Sequence, residues 1–260
     1  MSLSEIFSKA ADYTKAILSR FGDLLILLVV SIIPVVNLIA IGYYGRVIKD
    51  RPDSQAPPRL SEFWALFVDG LKVFVAALIW SIPVIIIFLF TFIPVFSIMR
   101  WEHMMTYMTQ PTALLRFTSF VLVLLMFVIA FAIFILAGIG IVHMFKTGSF
   151  GKAFAVSELL NIVGKIGLLR YLFWMVVAAV LGTIVGAFNM IPLIGGIISD
   201  LLGIILLIFL ARSIGLMYDS AVGVPTTQQT AGQLPTSPPT TTPAPSSAPP
   251  QPPPPPPSPP

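Results

Sequence analysis

No cysteine occurs anywhere in the chain, which excludes disulfides, thiolate metal sites and cysteine nucleophiles, and leaves the redox compartment open. Charge is nearly as scarce. Only 10% of residues are Asp, Glu, Lys or Arg, whereas water-soluble domains carry about a quarter. Also missing are an HExxH pair, a glycine-rich phosphate loop of recognised spacing, and any local grouping of nucleophile, base and orienting residue. His103 and His143 flank opposite ends of one apolar segment and so cannot share a metal. The sequence therefore offers no catalytic, cofactor-binding or metal-binding residues, and the expectation is a non-enzyme without cofactor. The net charge of +4 is dispersed over loops beside apolar segments, with no dense basic block among aromatics, so no nucleic-acid partner is expected.

What is present is apolar chain. Hydrophobic residues make up 57% of the sequence and mean hydropathy is +0.94. Several uncharged windows reach the roughly 20 residues needed to cross a hydrocarbon core of about 30 Å. The bilayer is thus the expected main partner. Residues 73–98, 117–142, 171–190 and 193–211 read as four full spans, the longer of which must tilt or enter the headgroups. Because a polar stretch containing Glu5, Asp12 and Asp23 precedes the first apolar run and no small-residue cleavage site follows, a signal peptide is not expected.

Residues 4–21 place Ile6, Phe7, Ala10, Tyr13, Ile17 and Phe21 at helical spacing, with Glu5, Lys9, Asp12, Lys15 and Ser19 on the other face. That predicts an amphipathic interfacial helix. Two further interfacial helices are expected, one beginning at "LSEFWALFVDGLK" and one in the polar stretch with Lys152, Glu158 and Lys165. Trp64 sits where aromatic side chains anchor at the membrane boundary.

The stretch 27–46, "LLVVSIIPVVNLIAIGYYGR", is apolar but interrupted by Pro34 and Asn37. It is either one kinked span or a re-entrant hairpin. The loops holding Arg46, Lys49, Arg51, Arg59 and Lys72, and Lys146, Lys152, Lys165 and Arg170, share a side, which the positive-inside rule makes cytoplasmic. A hairpin puts Lys9, Lys15 and Arg20 on that side too; a crossing puts them outside with Arg100 and Arg116. Charge thus favours the hairpin, while length favours crossing, since each hairpin arm is only about 15 Å long. The C-terminal tail is cytoplasmic under either topology.

A weak internal repeat is visible in "LSEIF" (3–7), "LSEFW" (60–64) and "VSELL" (156–160), and "SIIPVVN" echoes "NMIPLIG" (189–195). In the last two spans Ala178, Gly182 and Gly186 recur every four residues, as do Gly195, Ser199 and Gly203, a spacing that lets helix backbones approach closely in lipid. The expectation is a tight antiparallel hairpin through Pro192. Asp200 and Arg212 are the intramembrane polar candidates. Twelve residues, or about 18 Å, separate them along one helix, so they cannot pair within it. Asp200 is expected in a solute pathway or at the outer interface, and Arg212 to snorkel to the inner one.

From Val222 the composition turns to Pro, Thr and Ser, predicting a disordered tail over 222–260 behind a helical membrane domain over 1–221. Its proline runs suit aromatic-lined grooves of a cytoplasmic partner.

At "IPVVNLIAIGYYGRVIK" followed by "PPRLSEFWALFVDGLK" the chain resembles the family called domain of unknown function 4013, multi-pass membrane proteins found mainly in archaea and bacteria. The shared features are an apolar run with a Gly-Tyr followed by basic residues, then a proline, a Trp or Phe, and an Asp-Gly before the next span. The resemblance implies a membrane location, carries no catalytic residue, and covers roughly residues 4–219. The expected fold is all-α: a polytopic membrane protein of four full spans plus a first kinked or re-entrant element and amphipathic interfacial helices. The expected function is a non-enzymatic component of the cell membrane that organises or recruits partners at its cytoplasmic face; the rival is a small transporter or permease subunit using Asp200.

Overall fold

A computed structural model describes residues 1–98 and 113–223, and over 91–98 and 113–119 it describes the backbone course alone. The loop with Arg100 and His103, and the proline-rich stretch from residue 224, lie outside the described residues. The fold is all-helical. In chain order the helices are α1 (Leu3–Leu18), α2 (Phe21–Ile32), α3 (Asn37–Lys49), α4 (Phe63–Ile98), α5 (Ala113–Thr147), α6 (Val156–Ile166), α7 (Leu168–Ala187) and α8 (Gly195–Val222). Short 3-10 turns cover Phe150–Phe154 and Phe188–Met190. Among the described residues, four helices are long and apolar enough to cross a membrane: α4, α5, α7 and α8. Their outward surfaces carry large apolar side chains, among them Phe90, Phe127, Phe134, Leu169 and Val176. In water such a surface would aggregate; in lipid it is solvated.

α1 starts at Ser2, whose hydroxyl accepts the Glu5 amide at 3.2 Å, and Glu5 pairs with Lys9 at 3.1 Å. Its apolar stripe of Ile6, Ala10, Tyr13 and Ile17 is buried, largely against α8, where Phe7 stacks on Phe209. α8 is the hub. Of its most apolar window 39% is buried, against 6% or less in the other spans, because α1, α2, α3, α6 and α7 all pack on it.

The 27–46 stretch is two helices, of 12 and 13 residues, joined at Ile33–Val36. Pro34 ends α2, and Val35 takes a left-handed backbone at φ +70°, a conformation a β-branched residue rarely adopts. The two ends of the pair return to one level. Arg20, just before α2, donates to the carbonyl of Pro57, and Tyr43, midway along α3, donates to the carbonyl of Pro58 at 2.9 Å, so α3 runs back to the level at which α2 began. The segment is a hairpin, not one kinked span.

The echo between "SIIPVVN" and "NMIPLIG" is a repeated turn. Ile33 and Ile191 are both extended (ψ 116° and 117°), and Val35 and Leu193 share φ +70°. The Asn37 amide bonds to Ile33 at 2.9 Å and the Gly195 amide to Ile191 at 3.0 Å. Each hairpin also follows an amphipathic helix, α1 or α6, whereas "LSEFW" falls at the start of α4 with Leu60–Glu62 still outside it.

α3 is the second axis of the bundle. A Cβ on Gly42 would lie 1.9 Å from the Leu66 carbonyl oxygen, and one on Gly70 would lie 1.8 Å from that of Leu38. α3 and α4 therefore touch backbone to backbone in antiparallel register. Gly45 takes the ring of Phe145 from α5, and Gly215 of α8 lies against Ile48. The Gly-Tyr and Asp-Gly of the sequence resemblance are these contacts.

The tight packing expected along α7 and α8 is confined to their turn. A Cβ on Gly195 would meet the Phe188 carbonyl oxygen at 2.1 Å, and Ser199 donates to Val185 at 3.1 Å and accepts from Asn189 at 2.8 Å. Gly182, Gly186 and Gly203 have nothing within 4 Å of such an atom, and Ala178 lines a groove instead. The reading of all six as one intramolecular seam is corrected: only Gly195 and Ser199 make the close approach, and Gly182, Gly203 and even Gly186 beside the turn have no neighbouring helix within 4 Å of an added Cβ.

Candidate functional site

Among the described residues, most buried charge gathers at one end of the bundle. Asp50 follows the last turn of α3, and its carboxylate accepts from Tyr13 of α1 at 2.7 Å, from the Arg51 amide at 2.9 Å and from the Ser54 hydroxyl at 2.8 Å. Behind it stands Arg212 of α8, 3% exposed. Its guanidinium donates to the carbonyls of Asp50 (3.5 Å), Pro52 (3.1 Å) and Ser54 (2.8 Å), and its central carbon lies 4.2 Å from the centre of the Tyr13 ring. One cation thus clamps three carbonyls of one loop and an aromatic face. Lys146 of α5 donates to Asp219 of α8 at 2.7 Å, with both side chains buried.

A second arm continues from Tyr218. His143 of α5 contacts the Tyr218 hydroxyl through Nδ1 at 2.7 Å and Glu158 of α6 through Nε2 at 3.0 Å, and Glu158 also takes Lys152. A carboxylate only accepts, so Nε2 carries hydrogen and, in the neutral ring, Nδ1 accepts from Tyr218. The two arms join through the neighbours Tyr218 and Asp219 and fasten α1, α3, α5, α6 and α8 together. This arrangement is fully partnered apart from Arg212 Nε.

Burial pushes the Tyr13 phenol well above its ordinary value, and the adjoining Asp50 carboxylate raises it further, so Tyr13 stays a neutral donor. Lys152, and after it His143, hold the Glu158 carboxyl below its ordinary range.

In front of Asp50 opens a polar cleft of about 420 Å³, lined by Arg46, Lys49, Asp50, Glu62, Asp69 and Lys72 with Phe145 and Phe150 at its side. Arg46 pairs with Glu62 at 3.0 Å and donates to the Ser61 carbonyl at 3.1 Å; Lys72 pairs with Asp69 at 2.8 Å. Lys49 is exposed and has no ion-pair partner among the described residues. The cleft is a charged, solvent-facing cup on a floor made rigid by the Asp50–Arg212 network. Among the described residues no three His, Asp or Glu side chains are grouped to hold a metal ion.

Asp200 lies apart from all of this. It is exposed, six residues into α8 at the turn end. Arg212, expected to snorkel toward the interface, is buried instead, because the 50–54 loop folds over it and supplies carbonyls. Sequence reasoning missed Tyr13, Asp50, His143, Lys146, Glu158, Tyr218 and Asp219. One signal was available: Arg212 and Asp219 are seven residues, two helical turns, apart and so mark one charged stripe at a helix end.

No curated protein and no solved structure matches the chain. The family model described as "Protein of unknown function (DUF4013)" matches residues 25–194, from within α2 to the end of the α7–α8 turn. The match holds α3 with Gly42 and Gly45, the charged cleft and the His143–Glu158 arm, while Arg212 and Asp219 follow it. Over these 170 residues of membrane helices, the chain belongs to the DUF4013 family.

Proposed function

We propose that the protein is a non-enzymatic membrane component that recruits a protein partner at its cytoplasmic face, with the charged cleft as the docking point and the proline-rich tail as a second contact. The single observation that carries this reading is the segregation of charge: among the described residues, the cleft and both arms of the buried network sit at the end that also holds Arg20, Lys152 and Arg170. Under the positive-inside rule that end is cytoplasmic. A rigid charged cup facing water suits a partner's mixed-charge segment, since complementary charges set register and encounter rate. Among the described residues nothing at the other end matches it; the charged side chain there is Asp200.

The test is affinity purification from the native host with three chains: unaltered, truncated after Val222, and carrying Lys49→Glu with Lys72→Glu. Loss of the same co-purifying protein from either altered chain supports recruitment. Unchanged partners together with solute flux in vesicles that disappears in Asp200→Asn would replace this reading with transport.

A further inference from the structure

Between α5 and α7 the bundle opens sideways into a groove of about 740 Å³. Its floor is Ile48 of α3 and Ile214 of α8; its walls run from Phe131 to Val142 on α5 and from Tyr171 to Ala179 on α7. Apolar cavities of this kind hold water poorly, and both walls belong to helices that cross the membrane, so the medium at the mouth is lipid. At 1.5 Å per residue the α5 wall is about 17 Å long and the α7 wall about 12 Å. That is the depth of one leaflet of a hydrocarbon core about 30 Å thick.

The opening is built into the structure. Tyr171, buried, reaches across to donate to the Ile135 carbonyl at 3.5 Å, and its hydroxyl fills the space beside Gly138, where a Cβ would come within 2.6 Å. This strut sets the spacing of α5 and α7. Trp174 stacks on Tyr171 with ring centres 6.0 Å apart and is fixed by its indole N–H to Ser213 at 2.7 Å. The pair stands at the basic end of the groove, where aromatic side chains mark the headgroup boundary.

One turn before Trp174, on the same face of α7, is Arg170. It donates through one terminal nitrogen to the Met1 carbonyl at 2.6 Å, yet its Nε is buried with no hydrogen-bond partner. That nitrogen is closed to any ligand, but the bond to Met1 is solvent-facing, so the outer edge of the guanidinium presents its charge beside the aromatic pair, where a phosphate is a charge-assisted acceptor.

We propose that the α5–α7 groove binds one acyl chain of an anionic phospholipid from the leaflet on the basic side, with the lipid phosphate accepting from Arg170. The tail matches the groove in length and polarity; the headgroup meets the arginine at the level where the aromatic pair ends.

The test uses the full chain in nanodiscs of phosphatidylcholine containing a minor share of phosphatidylglycerol that carries a photoreactive acyl chain. Illumination is expected to label peptides 131–142 and 171–179 several-fold more than the outward face of α4. The same probe on a phosphatidylcholine headgroup is expected to label them several-fold less. Ala178→Trp, which fills the groove, should cut the labelling several-fold; Arg170→Gln should bring the two headgroups level, and Arg170→Lys should retain part of the preference. Even labelling over all outward helix faces overturns the proposal, as does equal labelling by both headgroups in the unaltered chain. So does crosslinking of these residues to a second copy in place of lipid. Should Arg170→Gln fail to fold, the headgroup comparison on the unaltered chain and Ala178→Trp decide.

Discussion

Lys146 on α5 and Asp219 on α8 form an ion pair of 2.7 Å whose side chains are only 10% and 5% exposed. Removing one partner strands the other charge, which costs about 3–5 kcal/mol for a buried pair, whereas replacing both with apolar residues of similar volume is often neutral. Lys146→Met alone should therefore lower the melting temperature in detergent sharply, and Lys146→Met with Asp219→Leu should recover most of the loss. Additive losses in the double variant would show that the pair is not coupled.

Arg212 is expected to resist replacement by lysine. An ammonium cannot present the fork that spans the Asp50, Pro52 and Ser54 carbonyls. Arg212→Lys should leave the 50–58 loop loosely held, and trypsin should cut after Arg59 at least several-fold faster than in the unaltered chain. Equal cleavage rates would contradict the clamp.

The glycines divide by environment. Gly42→Ala drives a methyl into the Leu66 carbonyl, which is backbone and cannot step aside. Its cost should exceed the about 1–3 kcal/mol of ordinary overpacking. Gly182→Leu meets nothing within 4 Å and should leave the yield of folded monomer near normal. Size-exclusion profiles in detergent compare the two directly.

A hairpin at 21–49 returns the chain to the side it left. Single cysteines at Ser4 and Gln55, free of competition because the chain has none of its own, should therefore be labelled by an impermeant thiol reagent from the same face of the membrane. Opposite accessibility would mean that the segment crosses.

Glu158 supplies a pH dependence whose sign is fixed. Its carboxyl is held below the ordinary value of 4.5 in the folded chain, by Lys152 first and His143 second. The stabilisation is complete above that value and is lost as pH falls through the lower folded one. The difference in melting temperature between the unaltered chain and Glu158→Gln should be largest near neutral pH and close in acid below 4.5.

The membrane architecture was legible in the sequence because lipid reads composition: uncharged runs long enough to cross it become spans whatever their detailed order. The turn at Pro34 was half legible. Proline stops a helix locally, but the return of Tyr43 to the level of Arg20 depends on the adjoining carbonyls of Pro57 and Pro58, the first taken by Arg20 and the second by Tyr43. The network was not legible, since Arg212 finds its acceptors about 160 positions away and His143 meets Tyr218 across 75. Small-residue spacing misled for a related reason. It announces that a helix can be approached closely, not which helix does so, and in this fold α3 and α4 used that licence while the far ends of α7 and α8 did not.

The short hairpin has a mechanical corollary for the surrounding lipid. An arm of 12 residues is about 18 Å long, well under the roughly 30 Å that its neighbours traverse. Ile32, Ile33 and Val35 at its tip are bare of protein cover. Acyl chains of the far leaflet must sag inward to wet that tip, dimpling the membrane beside the protein. Thin or curved regions already carry such a dimple, so the molecule should collect in them and withdraw from thick, ordered patches.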